Sequence, residues 1–536
     1  MTPRLKLFDV PVLSSLRDEF RSSIRVLLYD LCDDLEGHYR RSVTALRLPL
    51  GFFRFLGDSL KPDDYSNWKV VGWIEELNDL LYFIDLREQL LLERHPRDFA
   101  ADLLAECQEK FYENSYQDEI FPRGKPEPAG LGGRLSRLCA RLARQVTQES
   151  LFLVPGLPCR WLAEANRNVK RSARPGRSRW VVPCNLSANF ERAELPGRVY
   201  VGLEGAYLEP PARLRKKLAT GGSVARFVIG RGGIRIAVGR EQVPLWSHEC
   251  QPPRPWRLVP PRSLEFGRMT LGAALLYRKD LTPSRVTQAS PTLVPRLQRA
   301  LGTIKQAWPE GAEIVTLLTS RIVPLNAGGV VSFSYRNRPG LSFINTFERD
   351  EFDLIDDLIH ENSHHHLNLL LRKYDMKRGD RNQEVFYSPW RRSLRPLHGI
   401  LHATFTFTMG AILFERLASW ATMSPTRHVA VSGTRGHGDS AIRARDYVLR
   451  ARYRCLEEVE SVGYSLRDLV HAADRLGWLS PSGVALVRIL KAEIGKVRRR
   501  IAPFRGQVLR SRYGPALRRH IRTLARARAL YGKVLR

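Results

Sequence analysis

The sequence predicts an α+β protein with a helical N-terminal region, a β-rich middle segment, a mainly helical C-terminal metal-binding domain and a basic C-terminal helix. Three observations predict it. Apolar residues recur at helical spacing near both ends of the chain; short β-branched runs broken by Pro, Gly and Arg fill the middle; and a His-Glu-x-x-His motif lies within a Leu-rich helical run. With 536 residues, 43% hydrophobic and 26% charged, the chain has material for roughly two to four compact units and is not disordered over its length. Its segments divide into 1–150, 151–265, 266–490 and 491–536.

Phe20 to Leu35 and Trp73 to Glu93 carry apolar positions at i, i+3, i+4 and i+7, which predicts helices. Between about 153 and 265 the runs Trp180-Val181-Val182, Arg198-Val199-Tyr200-Val201 and Ile234 to Val238 predict strands. The Gly-rich runs Gly230 to Gly233 and Gly433 to Gly438 lack a phosphate-binding lysine and read as turns. Gln251-Pro252-Pro253-Arg254-Pro255-Trp256 is the best linker. Helices are predicted at Pro295 to Trp308, Arg349 to Lys373, 397–421, 440–460 and 465–476, and strands at Ile314 to Ile322 and Gly329 to Tyr335.

The 86 Lys and Arg against 55 Asp and Glu give a net charge of +31, which predicts attraction to polyanions or acidic partners. From Lys491 to Arg536 there are 15 basic residues and one acid, Glu493. Leu509, Leu517, Ile521, Leu524 and Leu530 give that tail an amphipathic pattern. It reads as a solvated helix or as a contact surface for a polyanion, an acidic peptide or a membrane. Seven widely spaced cysteines with no C-x-x-C pair argue against a disulfide framework or a cysteine zinc site. No secretory signal opens the chain, so a cytoplasmic location is the expectation. Leu397 to Phe414 carries no Lys, Arg, Asp or Glu, but His398, His402 and its threonines favour a buried helix over a membrane span.

The chemistry-bearing segment runs from Asp356 to Leu370. On a helix, the four-residue spacing puts His360 and His364 on one face, where both imidazoles can meet a single metal ion. Glu361 projects beside that pair, placed to act as general base or to orient a ligand. Leu367 and Leu370 stand where a metzincin needs Gly and His, so the third ligand comes from elsewhere. His402 is the leading candidate, with Glu384 and His398 as alternatives. Arg391 and Arg395, between the two histidine pairs, are suited to forked binding of a carboxylate.

Pro339-Gly340, the His360 to His364 motif, Ser388-Pro389-Trp390-Arg391, Arg395-Pro396, Gly399 and Leu479-Ser480-Pro481-Ser482-Gly483 together resemble the HExxH-motif peptide-modification family of bacterial gene clusters for ribosomally made, modified peptides. The resemblance covers about 266–490. Members usually read P-W-R-D-D-P-R-P where this chain has Arg392, Ser393 and Leu394 in the middle. The characterised branch is similar to 2-oxoglutarate-dependent, non-haem iron peptide β-hydroxylases. The resemblance therefore implies Fe(II) on His360, His364 and His402, 2-oxoglutarate held by Arg391 and Arg395, and a peptide or protein substrate. The alternatives are a zinc metallopeptidase using His360, His364 and Glu384 with Glu361 as base, and a non-catalytic peptide-binding or scaffold protein.

Overall fold

The computed structural model describes residues 5–92, 131–154, 292–378, 383–423 and 440–532, and between 157 and 272 chiefly the strands and a few residues beside them. Helices α1 (Val10–Gly37), α2 (Arg40–Leu46), α3 (Leu50–Ser59), α4 (Trp68–Leu92) and α5 (Leu131–Leu153) make up the N-terminal region. Asp9 starts α1 by accepting the Val12 N–H at 3.1 Å, with Pro11 in the first turn, where its missing N–H has no helical partner to lose.

The middle segment contributes β1 (Trp180–Pro183), β2 (Val199–Val201), β3 (Ala206–Glu209), β4 (Ala225–Gly230), β5 (Gly233–Val238), β6 (Glu241–Trp246) and β7 (Arg257–Val259). One antiparallel sheet runs β1-β4-β5-β6 and another β2-β3-β7. Gly230 pairs with Gly233 across the β4–β5 hairpin, so strands flank the first Gly-rich run. Gln251 to Pro255 and the run Gly433 to Gly438 lie outside the described residues.

The C-terminal part begins with β8 (Arg262–Ser263), β9 (Thr270–Leu271), α6 (Leu293–Ala307), α7 (Pro309–Leu318), β10 (Arg321–Leu325), β11 (Phe333–Ser334) and β12 (Leu341–Asn345). These strands form a mixed sheet in the order β11-β12-β10-β9-β8, with β10 parallel to both neighbours. Strand structure is confined to part of what the sequence predicts here: residues 314–318 complete α7 instead. Pro309 and Glu310 start that helix, and the apolar run after them fits a buried helix as well as a strand.

There follow α8 (Glu351–Lys373), β13 (Phe386–Ser388), β14 (Ser393–Arg395), α9 (Leu397–Met423), α10 (Ser440–Asp474), α11 (Pro481–Ile501), α12 (Arg505–Arg510) and α13 (Gly514–Tyr531). The two helices expected over 440–476 are one, α10. The largest apolar core takes Leu5, Leu7, Leu13 and Leu16 from the start of the chain, draws on α6 to α11, and reaches Val508 and Leu517 in the tail. Helix α11 runs unbroken across position 490.

Helix α9 is the one helix among the described residues long and apolar enough to cross a membrane, and most of it is buried inside the protein. Its buried threonines hydrogen-bond back along their own helix: Thr404 donates to the Ile400 carbonyl at 2.7 Å and Thr408 to that of Thr404 at 2.6 Å. The histidine-bearing α8 is fixed from both ends and one side. Asp350 and Asp353 form a capping box at its start, and Arg372 and Lys373 close its last turn in keeping with the helix dipole. On the sheet side, His365 Nδ1 accepts the Gly340 N–H at 3.3 Å and its Nε2 lies 3.0 Å from Ser342 Oγ. Gly340 has φ +81°, and a Cβ there would stand 2.8 Å from Ser320 Oγ, so glycine is what lets this backbone N–H face the imidazole.

Candidate functional site

The histidine run on α8 divides by face. His365 is pinned to the sheet, and His366 sits edge-on to Phe405 of α9 with centroids 5.1 Å apart. Burial pushes their pKa values down to about 4 and about 3, so both are neutral structural groups at pH 7. His360 and His364 point elsewhere. Their rings lie 5.0 Å apart, and the His364 ring lies 5.9 Å from that of His402, which is buried on α9. His398, one turn before His402, has its ring 4.2 Å from it. Four imidazoles from two facing helices thus lie next to one another.

An aromatic wall and a charged network stand beside it. Phe407 of α9 lies 4.9 Å from the His360 ring and stacks on Trp390, whose ring is parallel within 6° at 4.2 Å. The Trp390 indole N–H donates to Glu458 Oε2 of α10 at 2.9 Å. Arg454, also on α10, bridges Asp356 at 2.8 Å, Glu458 at 3.4 Å and Glu457 at 3.5 Å. Asp356 is one helical turn before His360. Burial pushes the His360 imidazole below its ordinary value; Asp356 opposes this, and the charges of Arg391 and Arg454 add to it. Sequence reasoning missed Phe407, Arg454 and Glu458, because nothing in their own segments marks them; only Trp390 lay within a motif.

Three carboxylates surround the single Arg454 guanidinium, and the most deeply buried, Glu458, is pushed up to about 8 by burial. The native state therefore holds a proton on Glu458 that the unfolded chain releases above its ordinary value of 4.5. That contribution to stability is complete below about 4.5 and is lost as the pH rises through about 8. Glu458→Gln keeps an acceptor for Trp390 and cannot ionise. Between pH 5 and pH 9 its urea midpoint is expected to fall less than that of the parent, the difference opening by on the order of 1–3 kcal/mol. Parallel profiles would show that Glu458 is already ionised in the native state.

Glu361 is buried and lies on the face of α8 shared with Asp357 and His365, towards β11 and β12, about 100° around the helix from His360. Burial, with Asp357 adding, pushes its carboxyl up to about 8, while the nearby Ser334 hydroxyl draws it down. Its Oε2 has no hydrogen-bond partner among the described residues. Arg391 is exposed on the β13–β14 hairpin, and its N–H donates to Ser388 Oγ at 3.3 Å. Arg395 is half-buried and passes over Gly399 in the first turn of α9, where a Cβ would lie 3.4 Å from its Nε. Glu384 is exposed in the segment that leads into β13.

Two imidazoles bound to one ion through nitrogens at ~2.1 Å have centroids roughly 4.5–5.5 Å apart. His360 and His364 meet that spacing, and His402 stands beyond it. Among the described residues no group of three or more His, Cys, Asp or Glu side chains is spaced to hold one metal ion. The chemistry of the donor set suits a metal; its spacing provides a pair and an adjacent third imidazole. No family model matches the chain, and no curated protein matches it.

Proposed function

We propose that the chain is a metal-dependent peptide-modifying enzyme whose centre draws on His360, His364 and His402, and that its reaction is Fe(II)/2-oxoglutarate-dependent hydroxylation of a ribosomally made peptide. The observation that carries this reading is the cluster itself: two imidazoles one turn apart on α8 face a third on the independent, buried α9. Neutral imidazoles are the ligand form, and burial keeps that of His360 neutral. Iron with 2-oxoglutarate would supply oxygen activation, which protein side chains alone cannot. Arg395, beside the first turn of the helix that carries His398 and His402, and Arg391 on the adjoining hairpin offer forked donors for a dicarboxylate. The Trp390–Phe407 stack shields one side of His360 from water.

The peptidase alternative draws less support. It needs Glu384 as a ligand, whereas Glu384 is exposed in the segment that leads into β13. The test is anaerobic reconstitution with Fe(II), then exposure to air and 2-oxoglutarate. Succinate is expected in the iron-loaded sample and absent from the zinc-loaded one. Stoichiometric retention of zinc with no succinate under any loading would count against the oxygenase reading.

A further inference from the structure

The β13–β14 hairpin reaches the histidine cluster from one side. Its Trp390 stacks on Phe407 next to His360, the His360 imidazole feels the charge of Arg391, and Arg395 passes over Gly399 at the start of α9. The hairpin is a weak element in itself. Each strand has three residues, Phe386 to Ser388 against Ser393 to Arg395, and a two-stranded ribbon is marginal when it stands alone. Its tip also holds a left-handed residue that is not glycine: Arg392 has φ +55°, which a side chain disfavours, and its N–H donates to the Ser388 carbonyl at 2.8 Å. One face of the ribbon is held by the main core through Phe386. The alternation of strand side chains puts Tyr387 on the opposite face with its cross-strand partner Leu394. These two form a small separate cluster with Tyr464 of α10 and with Leu524, Ala527 and Tyr531 of α13. The Tyr531 ring is parallel to that of Tyr387 within 13° at 5.3 Å, and Tyr464 meets Tyr387 edge-on at 5.7 Å. Arg528 fastens the same end of α13: it pairs with the buried Asp468, donates to the Tyr464 carbonyl at 2.8 Å and lies over the Tyr464 ring at 3.7 Å. The other end of α13 is anchored separately, by Leu517 in the main core.

We infer that the C-terminal end of α13 is a brace for this hairpin, with Tyr531 and Arg528 as positioning residues that hold Trp390, Arg391 and Arg395 against the histidine cluster. They act through Tyr387 and Tyr464. Because α8 and α9 belong to the main core and the braced face of the hairpin does not, releasing the brace displaces the guanidinium groups and leaves the imidazoles where they are. The consequence for a dicarboxylate cosubstrate rests on the oxygenase reading given above, but the brace itself needs neither metal nor cosubstrate.

The test compares the full chain with Tyr531→Ala and Tyr531→Phe by hydrogen–deuterium exchange, read on peptides that cover the hairpin and on peptides from α8 and α9. Loss of the stacked ring in Tyr531→Ala is expected to speed exchange of the hairpin amides by about five- to tenfold and to leave those of α8 and α9 at parental rates. Tyr531→Phe keeps the ring and is expected to exchange as the parent does. In the iron-loaded chain, Tyr531→Ala is expected to raise the KM for 2-oxoglutarate by roughly tenfold with kcat nearly unchanged, and Tyr531→Phe to keep the parental KM. Hairpin exchange equal to the parent's in Tyr531→Ala, or a rise of equal size throughout the chain, overturns the proposal. So does a loosened hairpin with a parental KM. A hairpin loosened by Tyr531→Ala alone, together with no succinate from the iron-loaded parent, would leave the brace standing and remove the oxygenase reading alone.

Discussion

Replacing Arg338 by alanine is expected to destabilise the protein by about 3–5 kcal/mol, a large fraction of any fold's total. Arg338 follows β11, and its side chain crosses into the N-terminal helices, where Nη2 meets Glu76 Oε1 of α4 at 2.7 Å with both side chains almost fully buried. Helix α4 is built around it: a Cβ on Gly72 would lie 1.5 Å from Arg338 Nη1, so the helix keeps a mid-helix glycine, at about 1 kcal/mol relative to alanine, to let the guanidinium pass. Removing the cation leaves the Glu76 carboxylate buried without compensation, which is costlier than removing both charges. The urea midpoint of Arg338→Ala should therefore fall sharply, whereas the double variant Arg338→Met with Glu76→Met should recover most of the loss. A double variant as unstable as the single one would show that the contact works through shape and not through charge. The same seam holds Arg372 over the Phe20 ring at 4.4 Å and against Glu75, so the N-terminal helices are clamped to the C-terminal end of α8.

That seam marks the limit of what the sequence discloses. Helix α8 is legible because its cap, its apolar period and its basic last turn are all local, and the His360 and His364 pair follows from the helix alone. Helix α9 is legible as buried for the same reason: an apolar run with polar residues that can bond to their own backbone. Residues 314–318 are not, since a short apolar run suits either helix or strand until its partners are known. Arg338 and Glu76 stand 262 positions apart, and Arg454 and Asp356 stand 98 apart. No periodicity links such pairs, because a buried ion pair is chosen by geometry that only the folded chain possesses. The charge of the tail is plain in the sequence, but not that its Leu524 and Ala527 pack with Tyr387 and Leu394 of the hairpin beside the histidines. The face on which Glu361 lies is half legible: helical geometry separates it from His360, and only the position of the sheet reveals that it looks towards β11.

His364 is the hinge of the proposed centre, and its replacement by alanine is expected to have the largest effect on metal binding. Its ring lies 5.0 Å from His360 on its own helix and 5.9 Å from His402 on α9, so it links the α8 pair to α9. Loss of groups that merely orient a metal ligand costs about 10–100-fold in affinity, so loss of a ligand itself should exceed about 100-fold. Metal content after dialysis against a chromogenic chelator should fall to background in His364→Ala and in His360→Ala. His402→Ala then assigns the third position: a loss as complete as that of His364→Ala places a ligand on α9, and full retention in His402→Ala with loss in Glu384→Ala moves it to the segment before β13. His398→Ala should bind as the parent does, because its ring lies beside that of His402, 4.2 Å away, as a neighbour to a ligand. Metal retained at parental levels by His364→Ala would end the metal reading, since His364 is the imidazole that stands between those of His360 and His402.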